Sequence, residues 1–145
     1  MGLWSSGPAG VGKSHIAIGL AKAIALKSYD KIDYFNVPTT RMGSITSSTA
    51  ENIIIDDLNQ PYALAGKEFT ELVTRMHNQG TGRIFVTTNY SERLGKFILS
   101  ATTGNEPEAA RTIDRTQNAL RELVVTGSSY RQMSPLNPWA DFNDQ

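Results

Sequence analysis

Gly7-Pro8-Ala9-Gly10-Val11-Gly12-Lys13-Ser14 is a glycine-rich turn set between two segments of opposite character. Before it, Gly2-Leu3-Trp4-Ser5-Ser6 is a short apolar-then-small run suited to a brief strand. After it, His15 to Lys27 is rich in alanine, leucine and lysine, which favour helix; Gly19 within it costs about 1 kcal/mol. The turn matches G-x-x-x-x-G-K-[ST], and strand-turn-helix is the context that separates this pattern from an ordinary glycine turn. Its chemistry needs these residue types at this spacing. Glycines let backbone N–H groups curl round a phosphate, while the following helix points its positive end at the same place. Residues Gly7, Pro8, Ala9, Gly10, Val11 and Gly12 form the cradle. Lys13 is expected to reach the β- and γ-phosphates, and the Ser14 hydroxyl to ligate Mg²⁺. Apolar residues surround the helix almost completely, so burial on both of its sides is expected.

Downstream, strands and helices alternate. Residues 31 to 37 read as a strand ended by Pro38, and the Thr-, Ser- and Gly-rich stretch 38 to 50 reads as a loop without a helix. Asn52-Ile53-Ile54-Ile55-Asp56-Asp57 is a β-branched run closed by two acids, suited to a buried parallel strand. Phe69, Leu72, Val73 and Met76 recur at helical spacing, with a stop near Asn78 and Gly80. Arg83 to Thr88 is a further strand, a short helix follows around Leu94 to Ile98, and residues 100 to 108 read as a loop. Residues 109 to 121 read as helix and 122 to 126 as a last strand. The pattern implies an α/β sandwich with a mostly parallel sheet. Ligands in such sheets sit beyond the carboxyl ends of the strands. Three polar segments follow strands here: residues 7 to 14, Asp56 with Asp57, and Thr88 with Asn89. All three are expected on one edge. There Asp56 would serve a Mg²⁺ ion, Asp57 would polarise an attacking water, and Asn89 would hold that water or touch the γ-phosphate without adding charge.

Together these residues resemble an AAA+ ATPase. Gly-Pro-Ala-Gly-Val-Gly-Lys-Ser-His over residues 7 to 15, Ile-Ile-Ile-Asp-Asp-Leu over 53 to 58 and Val-Thr-Thr-Asn over 86 to 89 are similar to the bacterial helicase loaders and their transposition relatives, the DnaC/IstB-like ATPases. Arg111-Thr112-Ile113-Asp114-Arg115, followed by Ser129-Tyr130-Arg131, resembles that subgroup's closing pattern. The resemblance spans residues 2 to about 131. It implies a three-layer P-loop NTPase fold of the AAA+/ASCE type, with ATP and Mg²⁺ as ligands and residues 7 to 15, His15 included, at the nucleotide. It further implies that Arg115 is an arginine finger for a neighbouring subunit and Arg131 a γ-phosphate sensor in its own. The partners it implies are further copies of the chain on ATP binding, a replicative helicase or transposition protein, and single-stranded DNA, in the cytoplasm of a bacterial cell or as a phage- or virus-encoded protein within its host. The expected division is an ATPase domain over 1 to 133, as a fragment or minimal form, and an irregular tail over 134 to 145. Asp57 stands where glutamate is common, and the loaders' helicase-binding N-terminal region has no counterpart in the sequence.

Composition narrows the alternatives. The 145 residues carry 14 Lys plus Arg against 14 Asp plus Glu, which argues against a polycation that binds nucleic acid by charge alone. With no cysteine, disulfides, thiolate zinc sites and cysteine nucleophiles are excluded. No apolar stretch approaches the roughly 20 residues that span a bilayer, so no membrane partner is expected. His15 reads as a residue that packs on the helix or stands behind the site rather than as a catalyst, and Trp4, Phe69 and Phe97 as core. Asp30-Lys31-Ile32-Asp33 resembles a guanine-reading motif only in part and lies before the acidic pair, so GTP specificity is not expected. Arg41, Arg75, Arg83 and Arg93 are candidates for contact with DNA. Three other readings stay open: a small-molecule P-loop kinase with Arg111 and Arg115 as lid arginines, a viral superfamily-three helicase-like ATPase, and a nucleotide-binding scaffold without hydrolysis.

Overall fold

The computed structural model describes residues 2–125 apart from 9, 11, 29, 62 and 104. Arg131, the Ser129-Tyr130-Arg131 pattern and the expected tail lie outside the described residues. Five strands, β1 (Gly2–Ser6), β2 (Ile32–Asn36), β3 (Asn52–Asp56), β4 (Arg83–Thr88) and β5 (Leu120–Val124), form one sheet in the order β2-β3-β4-β1-β5. Every pairing is parallel. The α/β fold class expected above is therefore observed, with β4 inserted between the strand that feeds the phosphate loop and the strand that ends at Asp56.

The two faces of the sheet are covered unequally. On one lie α3 (Leu64–Gln79), α4 (Leu94–Ala101), α5 (Glu106–Ala119) and the single turn α2 (Ser44–Ser47), which pack against one another over the main core. Trp4, Phe69 and Phe97 are buried there, with ring centroids 5.0–6.2 Å apart in tilted and edge-on contacts. Such pairs add about 0.5–1.5 kcal/mol beyond the area they bury. The other face carries α1 (Lys13–Ser28), which rests on β1 to β4 through Ala17 and Ala21 against Leu3, Ile54 and Phe85. Small alanines let the helix sit close to the sheet. Burial on both sides is not what the structure shows: Leu20 is 41% and Leu26 78% exposed. The described helices that pack together are all on the opposite face, so only the sheet-facing stripe of α1 is covered.

Other boundaries moved for local reasons. Residues 38 to 50 are not all loop, since α2 forms there and buries Ile45 beneath α3. Buried Glu68 of α3 accepts from the Thr46 hydroxyl at 3.1 Å, close to the amino end of α2, where an acceptor offsets orphaned donors. Arg75 donates to the carbonyls of Thr46 and Ser48, fastening the same turn. α5 begins at Glu106, ahead of the expected residue 109, because the Asn105 side chain accepts from Glu108 N–H and Pro107 occupies the first turn. The last strand consequently starts at Leu120 instead of 122, in register with Gly2 of β1. α3 ends as expected at Gly80, whose φ of 70° suits a left-handed helix stop.

Candidate nucleotide site

Because all five strands run the same way, their carboxyl ends share one edge, and the three polar segments meet there. Gly7 N–H donates to the Thr88 carbonyl at 3.2 Å, tying the end of β1 to the end of β4. Leu58 N–H donates to the Thr87 carbonyl at 2.9 Å, tying β3 to β4 in the same way. Gly10 and Gly12 have φ of 81° and 92°, a region that side chains other than glycine rarely adopt. The turn can therefore double back before α1, leaving Lys13 and Ser14 in the first helical turn.

Lys13 is 7% exposed. Its ammonium donates to the Gly7 carbonyl and, at 3.2 Å, to that of Pro8. Burial lowers the pKa of Lys13 from its ordinary value, and the nearby Asp57 and Asp56 carboxylates oppose that shift. A desolvated cation resting on backbone carbonyls of a glycine-rich turn is suited to exchange them for an anion.

Ser14 Oγ donates to Asp56 Oδ1 at 2.8 Å. These are the two residues expected at a Mg²⁺ ion, one from the loop and one from β3. Hydroxyl and carboxylate oxygens are the hard ligands and water-holders that Mg²⁺ takes, usually with several waters retained. The residues present thus fit the ion. Among the described residues no group of three or more His, Cys, Asp or Glu could hold a metal.

Two further side chains at Asp56 escaped the sequence reading. Thr87 is buried and donates to Asp56 Oδ1, while its Oγ1 accepts the Asp57 N–H at 2.9 Å. Tyr34 of β2 donates its hydroxyl to Asp56 Oδ2. Burial, then the Asp56 carboxylate, raises the pKa of the Tyr34 hydroxyl, keeping it a donor. Alternation in residues 31 to 37 could have flagged the strand but not the reach of one ring across to the next strand. Thr87→Val is expected to destabilise the fold by about 1–3 kcal/mol, because the Asp57 N–H and one site on the buried Asp56 carboxylate lose their partner. Chemical denaturation of the two proteins checks this.

Asp57 is exposed and has φ of 62°. Aspartate and asparagine enter this left-handed region several-fold more often than other side chains. The turn swings Asp57 off the strand direction and beside the loop. Asn89 is exposed at the same edge, its N–H donating to Asn59 Oδ1 at 2.8 Å. His15 is also exposed, which speaks against packing on the helix and leaves it a place behind the site. Three of the arginines weighed for DNA are engaged within the fold: Arg75 as above, Arg83 with Asp30 at 3.3 Å, and Arg93 with Glu122. Arg41 is exposed.

Arg115 lies elsewhere. It lines a cavity of about 220 Å³ with Val73, Met76, Gly82, Ile84 and Leu120, at the amino ends of β4 and β5. That is the opposite end of the sheet from the phosphate loop of the same chain. Its hydrogen bond among the described residues is a long one to Thr74 Oγ1, 3.5 Å, and none of the described ion pairs involves it. Arg111, one turn earlier on α5, is exposed.

No family model and no curated protein matches the chain. Solved structures do. The crystal structure of the DnaC helicase loader aligns with a TM-score of 0.54 at 20% identity, over 86% of this chain and 78% of that one. DnaI aligns with a TM-score of 0.64 at 18% identity, over 88% and 71%. The chain shares the fold of these two helicase-loader structures. The solution structure of protein NMB1076 from Neisseria meningitidis is also similar, with a TM-score of 0.54 at 16% identity over 87% and 74%. Among the described residues no helix is long and apolar enough to cross a membrane.

Proposed function

We propose that this chain is an ATP-binding and ATP-hydrolysing AAA+ switch acting in DNA replication or recombination, in the manner of a helicase loader, with residues 1 to 133 as its ATPase domain. One observation carries the nucleotide part. Ser14 and Asp56, 42 residues apart in sequence, meet at 2.8 Å beside a buried Lys13 at the carboxyl edge of the sheet. Gly7 to Gly12 hold the phosphates through their N–H groups, and Lys13 turns from the Gly7 and Pro8 carbonyls to the β- and γ-phosphates. Ser14 ligates Mg²⁺, with Asp56 holding its water shell; the ion supplies charge neutralisation on the phosphate oxygens. Asp57 orients the attacking water and takes its proton, and Asn89 keeps that water in place. The partners are further copies of the chain, a replicative helicase or transposition protein, and single-stranded DNA. The site of action is the cytoplasm of a bacterium, or of the host of a phage. Arg131 belongs to the same assembly as the γ-phosphate sensor.

Asp57→Asn separates binding from turnover. Asparagine keeps the left-handed turn but not the base, so affinity for an ATP analogue should stay near the wild-type value. Hydrolysis should fall by about 10²–10⁴-fold, the contribution of a positioned general base. Wild-type turnover in this variant would mean that another group activates the water.

A further inference from the structure

Asp56 is held from three sides. Oδ1 accepts from Ser14 and Thr87, and Oδ2 accepts from Tyr34. A carboxylate offers about four acceptor sites, so the remaining one is on Oδ2, beside the Tyr34 hydroxyl. Thr87 and Ser14 come from elements that the fold fixes anyway, β4 and the first turn of α1. Tyr34 is different. It stands on β2, the edge strand, two residues before Asn36, which is in register with Asp56. It is 47% exposed. A ring in that position adds little to the core, and its hydroxyl has water available as a partner. Yet it crosses to the neighbouring strand and bonds Oδ2, which no other described hydrogen bond reaches. Losing that bond would leave the carboxylate held through Oδ1 alone and its plane less firmly set.

We propose that Tyr34 is a positioning residue of the metal site, holding Asp56 Oδ2 so that its free acceptor site faces the water shell of a divalent cation bound at Ser14. This rests on the proposed roles of Ser14 and Asp56 at a Mg²⁺–nucleotide complex. Tyr34 touches neither nucleotide nor cation; it acts through Asp56. Groups that orient metal ligands from behind are worth roughly 10–100-fold in metal affinity or activity. An exposed edge residue belongs at the lower end of that range.

The test uses Mn²⁺ as the probe, with a non-hydrolysable ATP analogue. Free Mn²⁺ is followed by its electron paramagnetic resonance signal, and analogue binding by fluorescence. Wild type, Tyr34→Phe and Lys13→Ala are compared. Tyr34→Phe should need about tenfold more Mn²⁺ for half-saturation, while its unfolding temperature and its analogue affinity at saturating Mn²⁺ stay at wild-type values. A purely structural role would move the unfolding temperature and leave the Mn²⁺ curve alone. Should Tyr34→Phe fail to fold, Tyr34→Met replaces it and must show the same shift. A folded Tyr34 variant with the wild-type Mn²⁺ curve, when Lys13→Ala has lost binding, overturns this role and leaves the nucleotide site standing. Mn²⁺-dependent binding absent from wild type, or equal in wild type and Lys13→Ala, overturns the nucleotide reading itself and this role with it.

Discussion

Lys13→Ala protein is expected to bind ATP about 10²–10⁴-fold more weakly than wild type and to remain folded. The size follows from the contacts a lysine makes to phosphate. Hydrogen bonds to charged groups contribute about 1.5–3 kcal/mol each. Two such bonds, one to each terminal phosphate, sum to about 3–6 kcal/mol, and each 1.4 kcal/mol is a factor of ten. No other cationic side chain lies within the described loop, from Gly7 to Ser14, to take over. Folding should survive because Lys13 stands at the first position of α1, where alanine is a good helix former. The packing of α1 on the sheet depends on Ala17 and Ala21, beyond the substitution. Titration with a fluorescent ATP analogue and a thermal melt together check the prediction. Unchanged affinity in a folded variant would sink the phosphate-loop assignment.

Arg115→Ala is expected to lower ATP turnover by about 10³–10⁵-fold, the range known for arginine fingers in GTPases, with little change in nucleotide affinity. Position supports so large an effect. A strand of five residues rises about 3.3 Å per residue, so the amino ends of β4 and β5, where Arg115 lies, are separated from the phosphate loop by the height of the sheet. An arginine there is too far to serve its own loop, so the proposed finger role requires the loop of an adjacent copy. Its half-buried side chain has no acid partner among the described ion pairs, so removing it leaves no carboxylate stranded. Stability should change little, which separates a catalytic loss from unfolding. Steady-state turnover at saturating ATP, alongside a binding titration, measures both quantities.

Much of this site could be read from consecutive residues, and the unread parts have a common cause. The loop from Gly7 to Ser14 is contiguous, so its pattern carries its own geometry. Ile53 to Asp57 likewise announces both a buried strand and the acids at its end, because an apolar run cannot continue through two carboxylates. The period of Phe69, Leu72, Val73 and Met76 fixes α3 for the same local reason. Thr87 and Tyr34 could not be found that way. Their bonds to Asp56 exist because β4 lies on one side of β3 and β2 on the other, and strand order is absent from alternation. The exposure of Leu20 and Leu26 was hidden for a related reason. An apolar residue reports what it could bury against, whereas the number of layers on each sheet face decides what is there. α2 was missed because four residues are too few for a period; Ile45 and the Glu68 acceptor hold the turn through contacts with α3.

We propose that the active site is completed by a second copy of the chain, with Arg115 as the arginine finger; this is the central claim, and mixing tests it most directly. Lys13→Ala protein has no working phosphate loop but keeps Arg115. Arg115→Ala protein keeps its loop and lacks the finger. Each alone should be inactive. Combined in equal amounts, they should regain part of the wild-type ATPase activity, because one supplies the arginine and the other the intact site. Wild-type activity should in parallel rise more steeply than linearly with protein concentration. Linear activity down to low concentration, with no recovery on mixing, would contradict a shared site and move a self-contained P-loop kinase ahead.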